Sequence, residues 1–355
     1  MVGDAGQPAR VIGVMSGSSL DGLDLAVCSF ERIGDHWQGR IEQARTVPFP
    51  PALLERLRHA MDATALEAAR LHRDLGDHIG EACGTLADGR PVDLISSHGH
   101  TLFHRPEEGL TAALGCGARI AARSGITTVC DLRTMDVALG GQGAPLVPLA
   151  ERLLFPGQEA FLNLGGIANL AVHRASSLGY DVGPCNQALD HLARQAGRPY
   201  DADGALAREG AVNEDLLAAL EALPFYRQPS PRSLGREWFE AEMRPLIDAP
   251  ELPLSDRLRT VSEHVARRIA AELDRHAVRN VLVTGGGAHN THLLARMRAL
   301  SDADLRVPEP LLVDFKEAYL FALLGLLRRR GEVNALATVT GARRDSTGGA
   351  GYLPY

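Results

Sequence analysis

Residues 11–30, VIGVMSGSSLDGLDLAVCSF, give the first indication of the fold. They predict two short apolar strands joined by a polar, glycine-rich turn. Glycines in such a turn let backbone N–H groups approach an anion closely. Serine hydroxyls would add donors, and carboxylates could hold Mg²⁺ directly or through water. The polar side chains available for this are those of Ser16, Ser18, Ser19, Asp21 and Asp24. Taken alone, the turn is equally typical of a tight hairpin that binds nothing.

A similar unit returns about one domain length later. AFLNL (160–164) runs into Gly165-Gly166, and IANLAVH (167–173) leads out. A third strand candidate, NVLVT (280–284), ends in Gly285, Gly286 and Gly287. Three strand-ending glycine turns, two of them in matching positions, favour two domains of related plan that bind phosphates. A dinucleotide loop is the weaker interpretation of the third turn, since GGGAHN lacks the G-x-G-x-x-G spacing.

Between these turns, segments with the hydrophobic periodicity of strands alternate with segments that have the periodicity of helices, which predicts an α/β fold. Buried strands are predicted at VDLIS (92–96) and ITTVC (126–130). Helices are predicted over 51–88, over 256–276, and from about Asn290. A last helix is predicted after Asp314 as N-cap, ending in three arginines. The predicted buried face of the first helix consists of Leu53, Leu54, Leu57 and Met61. That of the second consists of Leu258, Val261, Val265, Ile269 and Leu273.

Composition narrows the class of protein. The chain has 355 residues, 45% hydrophobic and 23% charged, with a net charge of −7. It can therefore form a sizeable core, and it lacks the basic excess of proteins that bind nucleic acid or membrane surfaces. Its only lysine, Lys316, follows Phe315 and not a glycine. A Walker A loop is thereby excluded, so nucleotide phosphates would have to be bound by another architecture.

The five cysteines are scattered, odd in number and without a C-x-x-C pair. This usage is typical of a reducing compartment and of neither a disulfide framework nor a zinc site. The first apolar run, 11–15, is too short for a signal peptide. The longest run, 318–327, is about half of a membrane span. We therefore expect a soluble, cytoplasmic protein.

Three segments carry candidate chemistry. SSHGHTLFHRP (96–106) holds three histidines, but no cysteine or acid completes a metal set, so a polar loop or substrate contact is favoured over a metal. In the segment 129–148, Arg133 suits a carboxylate, although a surface loop with an Asp–Arg pair explains the text equally well. Asp181 ends a strand before Gly183-Pro184 and is a candidate general base; Asp190 and Asp136 remain alternatives.

Taken together, the motifs resemble those of the anhydro-N-acetylmuramic acid kinase family. They occur in the same order over almost the whole chain, from Val14 to Ala342. The segments that carry the resemblance are VMSGSSLDGLDLAV, SSHGHTLFHRP, DLRTMDVALGGQGAPLVP, NLGGIANL, DVGPCNQALD, TGGGAHN, FKEAYLFALLG and VTGA.

The resemblance implies a duplicated, ribonuclease H-like α/β fold of the actin-like ATPase class, with ATP in a cleft between two domains. The domains would be 1–150 and 151–355, with the last residues able to pack back on the first domain. ATP and Mg²⁺ would be the cofactors, with Mg²⁺ near Asp21, and a homodimer is expected. ATP contacts are implied for Gly17, Ser18, Ser19, Leu20, Asp21, Gly22, Leu23, Asp24, Gly165, Gly166, Gly285, Gly286 and Gly287.

The resemblance also implies roles for residues of the reaction. Asp181 matches the catalytic base, which activates a water to attack C1 while O6 of the anhydro bridge takes the γ-phosphoryl group. Sugar contacts are implied for Thr101, Arg133, Asn186 and Glu317.

This sequence departs from the family pattern at three positions. Ser18 stands for a threonine, His100 for a glutamine, and Val182 for a threonine beside the base. The last change removes a hydroxyl, so a hydrogen bond that orients Asp181 or a phosphate could be missing. A kinase for another sugar, and a sugar-sensing protein without activity, are the alternative functions.

Overall fold

The structure is a computed structural model that describes residues 8–17, 20–174, 177–230, 232–248 and 251–354. The chain divides into two compact units: a first unit of Met1–Gly157 with Phe315–Tyr355, and a second unit of Gln158–Asp314. The expected boundary at 150/151 thus falls inside a helix, and the chain after residue 314 belongs to the first unit. One cause is a buried ion pair between Lys316 and Glu151, with Nζ and Oε1 3.0 Å apart.

The strands form two main sheets and one small hairpin. In chain order they are β1 (Ala9–Ser16), β2 (Leu23–Ile33), β3 (His36–Val47), β4 (Leu94–Ser97), β5 (His100–Arg105), β6 (Leu110–Leu114), β7 (Thr128–Cys130), β8 (Ala160–Leu164), β9 (Ile167–His173), β10 (Ser177–Pro184), β11 (Asn280–Thr284), β12 (Asp304–Arg306) and β13 (Ala350–Tyr352).

The two main sheets share one plan. In the first unit the strand order is β13-β7-β4-β1-β2-β3, and in the second it is β10-β9-β8-β11-β12. Each begins with an antiparallel meander (β1-β2-β3 and β8-β9-β10), whose first strand then pairs in parallel with a later strand (β4 and β11). A further parallel strand follows in each sheet (β7 and β12). This shared order confirms the predicted duplicated, ribonuclease H-like α/β fold.

The helices pack on these sheets. They are α1 (Pro51–Arg58), α2 (Ala65–Ala87), α3 (Gly117–Ser124), α4 (Thr134–Ala138), α5 (Val147–Leu154), α6 (Asn186–Gln195), α7 (Ala205–Glu209), α8 (Glu214–Glu221), α9 (Arg236–Trp238), α10 (Arg244–Ile247), α11 (Leu254–Arg275), α12 (Thr291–Leu300), α13 (Pro310–Arg330) and α14 (Ala337–Thr340). In the described part of the chain, none of them combines the length and the apolar character that a membrane crossing requires.

Helix α11 confirms its prediction, and all five residues of its predicted stripe are buried. The single helix predicted over 51–88 is wrong. The Thr64 side chain accepts a hydrogen bond from Glu67 N and so starts a separate helix, α2. Met61 lies in the intervening turn and is 67% exposed, although it was predicted to be buried. Helix α1 ends at Arg58, so the helical period that placed Met61 on the buried face stops before this residue.

Asp314 as the N-cap of the last long helix is also wrong. Helix α13 begins four residues earlier, with Pro310 at its first position, where a missing N–H costs nothing. The Asp314 carboxylate instead pairs with His289, with Oδ1 and Nε2 2.8 Å apart. Phe315 has non-helical torsions (φ −117°, ψ 19°), so the helix is interrupted just where the two units divide.

The part of α13 after Phe315 covers the first sheet. A Cβ on Gly13 of β1 would lie 1.8 Å from the carbonyl oxygen of Ala318, so only glycine allows this approach. Ser96 of β4 donates its hydroxyl to the Phe321 carbonyl at 2.6 Å. On β2, the ring of Phe30 stacks on that of Tyr319, with centroids 5.3 Å apart. This packing fixes the position of Glu317 on the first unit.

Candidate active site

The first glycine turn follows β1 directly. Leu20 donates its backbone N–H to the Gly17 carbonyl at 3.2 Å, which closes the turn. Leu20 has a φ of +59°, a left-handed conformation that is uncommon for leucine and is found mainly in turns and at functional sites. At Gly22, a Cβ would lie 2.7 Å from the Val47 carbonyl oxygen. The predicted phosphate contacts Ser18 and Ser19 lie outside the described residues.

The two carboxylates of this turn differ in environment. Asp21 is exposed. Asp24 accepts a hydrogen bond from the Thr46 hydroxyl at 2.6 Å. Leu23, between them, is fully buried in the core and pairs with both neighbouring strands, so the structure does not support the predicted contact with ATP. Within the described ranges, no group of three or more His, Cys, Asp or Glu side chains is arranged to hold a metal ion.

Arg133 is held in place by its neighbours. Its Nε and Nη2 lie 3.1 and 2.8 Å from His98 Nε2, and its Nη1 donates to the Gly143 carbonyl at 2.6 Å. Burial and the nearby guanidinium lower the pKa of His98 to about 3, so this ring is neutral and accepts from Arg133. His98 Nδ1 bonds the Gly99 carbonyl at 2.9 Å, which fixes the tautomer. The sequence offered an aspartate as the partner of Arg133, and it did not indicate His98 or Gly143.

Glu317 lies on α13 among other charged groups of the first unit. Its side chain keeps contact with solvent, but the surrounding protein raises its pKa. Lys316 and Arg133 oppose this rise by stabilising the charged form, whereas Asp24 and Glu151 add to it. The charges of Asp24 and Arg133, two further predicted site residues, thus both act on the Glu317 carboxyl.

The histidines of 96–106 each bond a different partner, an arrangement that does not favour a metal ion shared between them. His100 Nδ1 lies 3.0 Å from the buried Ser16 hydroxyl, and His104 Nδ1 lies 3.1 Å from the Thr111 hydroxyl. His100, which departs from the family's glutamine, thus still makes a hydrogen bond through its side chain. Thr101 is exposed on β5, next to His100, and within the described residues no side-chain hydrogen bond joins it to Arg133.

Asp136, one alternative to Asp181, is a structural group. It is 1% exposed. Its Oδ1 accepts from the Thr340 hydroxyl at 2.7 Å, and its Oδ2 accepts from Gly143 N at 2.8 Å. Both oxygens are used to join the loop after α4 to α14, so this carboxylate is poorly suited to take a proton from a substrate.

In the second unit, the two other glycine turns meet at Asn186. Asn186 donates its backbone N–H to the Gly165 carbonyl at 3.1 Å and its side-chain amide to the Leu164 carbonyl at 2.9 Å. A Cβ on Gly287 would lie 2.9 Å from Asn186 Oδ1, and one on Gly285 would lie 2.5 Å from Asn163 Oδ1. Glycine is thus required at both positions, and two turns that lie far apart in sequence pack against the same asparagine.

A pocket of about 340 Å³ opens beside this junction. It is lined by Gly286 and Gly287, by the exposed ring of Tyr200, and by Asp190 on α6. Its volume is at the lower end of the range for small-molecule sites. An aromatic ring at the rim and a carboxylate in the wall suit a flat heterocycle that carries hydroxyl groups. Tyr200 was not among the residues predicted from sequence, since no motif surrounds it.

The Asp190 carboxyl in the pocket wall should lower the stability of the folded chain, and this can be tested. Burial raises its pKa to about 6, partly offset by Arg194. A carboxyl whose pKa is higher in the folded than in the unfolded chain costs stability above its folded pKa, and this cost disappears below its unfolded pKa. We expect Asp190→Asn to raise the free energy of unfolding by about 1–2 kcal/mol at pH 8, allowing for partial exposure. Urea unfolding at pH 8 and pH 4 measures this.

The gain from Asp190→Asn should fall to about 0.5 kcal/mol or less at pH 4, where the wild-type carboxyl is protonated in the folded state and only partly ionised in the unfolded state. Asp274→Asn is the matched control, because Asp274 is exposed on α11. Equal stability gains at both pH values would show that the Asp190 carboxyl does not carry this cost.

Asp181 lies on β10, the edge strand of the second sheet. The pairing of β10 with β9 shifts between Asp181 and Gly183, so Val182 is the extra residue of a β-bulge. Bulges occur next to active sites, where they redirect a side chain. Burial raises the pKa of Asp181, and hydrogen bonds from Leu234 and Ser233 lower it. The net rise brings the carboxylate closer to the pKa of an efficient general base.

Val182 itself is 1% exposed and belongs to the apolar core of the second unit. The hydrogen bonds to the Asp181 carboxylate come from another part of the chain: Leu234 N donates to Oδ2 at 2.8 Å, and Ser233 Oγ donates to it at 3.1 Å. The sequence reads 228–235 only as a Pro/Ser-rich loop, and no local signal links it to Asp181.

Comparison with known proteins assigns the family. The duplicated ribonuclease H-like plan with glycine turns defines the fold class, and the family model described as anhydro-N-acetylmuramic acid kinase matches residues 9–354. An anhydro-N-acetylmuramic acid kinase of Gloeobacter violaceus is 38% identical, over 95% of this chain and 97% of its own. One of Vibrio cholerae is 35% identical, over 97% and 98%. The chain belongs to the anhydro-N-acetylmuramic acid kinase family.

Solved structures show a more distant likeness. An activator of 2-hydroxyisocaproyl-CoA dehydratase from Clostridium difficile, with bound ADPNP, aligns with a TM-score of 0.44 and 15% identity, covering 90% of this chain and 97% of that one. The assignment of the fold depends instead on the strand order of the two sheets.

Proposed function

We propose that the protein is an ATP-dependent kinase that opens 1,6-anhydro-N-acetylmuramic acid with water and phosphorylates O6. The products would be N-acetylmuramic acid 6-phosphate and ADP, a step of peptidoglycan recycling. The observation that carries the proposal is the family match over residues 9–354. Relatives named for this activity align with this chain over nearly their whole length.

The substrate explains why a carboxylate base is needed. Its O6 is bonded to C1, so no free 6-hydroxyl exists for an ordinary kinase to deprotonate. In the proposed reaction, Asp181 takes a proton from water, whose oxygen bonds to C1 as the C1–O6 bond breaks. O6 bonds to the γ-phosphorus as the bond to the ADP oxygen breaks. This resembles inverting glycoside hydrolysis, with phosphoryl transfer in place of protonation of the leaving oxygen.

Two clusters support the binding of the substrates. Arg133 is oriented by His98 and presents a fixed cation that suits the carboxylate of a muramic acid. Glu317 is close enough to sense its charge and suits sugar hydroxyls. Around Asn186, the turns Gly165–Gly166 and Gly285–Gly287 and the neighbouring pocket suit a nucleotide.

Mg²⁺ fits this proposal as a companion of ATP. Mg²⁺ usually keeps several waters and is held by substrate phosphates with one or two carboxylates. The exposed Asp21, on a turn with backbone donors, has the chemistry for that role, and Asp24 lies nearby in the sequence. Bound there, the ion would neutralise charge that develops on the phosphoryl group.

The test follows the oxygen of water. With purified protein, ATP, Mg²⁺ and the anhydro sugar in water enriched in heavy oxygen, we expect label at C1 of the product and none in its phosphoryl group. Mass spectrometry of the intact product and of its phosphate fragment measures this within a single turnover. Label in the phosphoryl group would mean that water attacks phosphorus, which contradicts the proposed mechanism.

Because a reducing sugar exchanges its C1 oxygen slowly with water, unlabelled product incubated for the same time is the necessary control. Acceptors such as glucose and N-acetylglucosamine, offered in parallel, test the alternative of a kinase for another sugar. ADP release with those sugars but not with the anhydro sugar would overturn the proposed substrate.

Two further expectations stay predictions: a homodimer and a cytoplasmic location. Both follow from the family resemblance and from the sequence. Light scattering coupled to gel filtration measures the mass of the assembly, for which two copies are expected.

A further inference from the structure

The loop after residue 227 lies along the free edge of β10, at Asp181. Asp181 donates its backbone N–H to the Arg232 carbonyl at 2.9 Å. Arg232 Nε in turn donates to the Asp181 carbonyl at 3.3 Å. These two bonds join one residue of the edge strand, Asp181, to one residue of the loop, Arg232. The loop is therefore fixed relative to the backbone that carries the carboxylate.

The same loop grips one oxygen of the carboxylate. Oδ2 accepts from Leu234 N at 2.8 Å and from Ser233 Oγ at 3.1 Å. Among the described residues, no hydrogen bond to Oδ1 is found. Two donors on one oxygen restrict rotation of the carboxylate about its last torsion. They leave the other oxygen as the one that can take a proton.

The donors themselves rest on a buried anchor. Arg232 Nη2 lies 2.6 Å from Glu272 Oε1, and the two side chains are only 2% and 1% exposed. Arg232 Nη1 donates to the Gln228 carbonyl at 3.0 Å, and its guanidinium lies over the ring of Phe225, 4.9 Å from the centroid. An arginine side chain with these contacts has a fixed position. Ser233 and Leu234, the next two residues, share this fixed position.

The surroundings of Asp181 contain few other charges. On the loop, Arg232 faces the backbone carbonyl and pairs with Glu272 of α11, which also bonds Arg275 at 3.2 Å. On β9, the residue opposite Asp181 is the uncharged Asn169. The donors on Oδ2 are therefore the main local groups that favour the charged form, against the burial that opposes it.

We propose that Ser233 and the backbone N–H of Leu234 are positioning groups that hold Oδ2 of Asp181, so that Oδ1 faces the water that it activates. The inference rests on the proposed function, in which Asp181 is the base. It assigns to the segment 232–235 a part in the reaction that no sequence motif indicates. It also means that the base is oriented without the hydroxyl that the family's threonine would provide at position 182.

Ser233→Ala tests the proposal. The Ser233 side chain is exposed, so its loss should leave the melting temperature unchanged. Removing a donor from the charged form should move the acidic limb of the kcat/KM profile to higher pH by roughly half a unit to one unit. It should also lower kcat on the plateau about threefold to tenfold, because the carboxylate is less well oriented. The KM for ATP should not change.

Two variants keep the test specific. Ser230→Ala removes a hydroxyl from the same loop that, in the described part of the chain, makes no hydrogen bond to Asp181, and it should behave as wild type. Ser233→Thr retains a hydroxyl and should restore the wild-type profile. If the profiles of Ser233→Ala and Ser230→Ala coincide with that of wild type, the inference is wrong while the proposed function stands. If wild type itself does not phosphorylate the anhydro sugar, the proposed function fails first.

Discussion

Asp181→Asn should lose turnover by about 10²–10⁴-fold while it still binds ADP and the anhydro sugar. An asparagine oxygen can take the place of Oδ2 and accept the same bonds from Leu234 N and Ser233 Oγ. The fold and the loop are thereby retained, but the group facing the water becomes an amide, which cannot take a proton. Coupled measurement of ADP release gives kcat, and calorimetric titration with ADP and with the sugar gives the two affinities.

Asp274→Asn is the matched control, since it makes the same chemical change on the exposed surface of the same unit. It should have wild-type turnover. If Asp181→Asn retains more than about a tenth of wild-type kcat, Asp181 is not the base. If it loses both turnover and ADP binding, the substitution has disturbed the second unit, and the effect cannot be assigned to the base.

The strands and the glycine turns could be predicted from the sequence because both are local. An apolar run that ends in glycines, as at Leu164 or Thr284, combines burial with a backbone conformation in a few neighbouring residues. The stripe of α11 was predicted for the same reason, since it repeats every three to four residues. Asp181 was singled out because Gly183 and Pro184 follow it, although β10 continues to Pro184 and Asp181 does not end the strand.

Contacts between distant segments could not be predicted. Ser233 and Asp181 are 52 residues apart, and a serine in a Pro/Ser-rich loop has no local pattern that names its partner. The family resemblance implied that the last residues could pack back on the first domain, but no local signal gave the point of return at Phe315 or the pairing of β13 with β7. Met61 was predicted to be buried because the helical period was extended past the end of α1 at Arg58, before the new helix starts at Ala65.

Arg232→Met should cost the protein about 3–5 kcal/mol of its free energy of unfolding, the largest stability change expected here. The substitution leaves the Glu272 carboxylate buried, 1% exposed, without its nearest cation. It also removes the bonds to the Gln228 and Asp181 carbonyls. Tyr180, whose hydroxyl donates to Glu272 at 2.9 Å, compensates in part, which favours the lower end of this range. Urea unfolding at pH 7 measures the loss.

Arg275→Met is an unusually close control, because Arg275 pairs with the same carboxylate at 3.2 Å but is 48% exposed. A solvent-exposed partner is worth about 1 kcal/mol or less, so the two variants should differ by at least 2 kcal/mol. Similar losses in both would mean that burial of the Arg232 pair adds nothing. The expected difference would instead show that the buried Arg232–Glu272 pair stabilises the loop. Turnover should then fall in Arg232→Met alone, since only this arginine precedes the donors that hold Asp181.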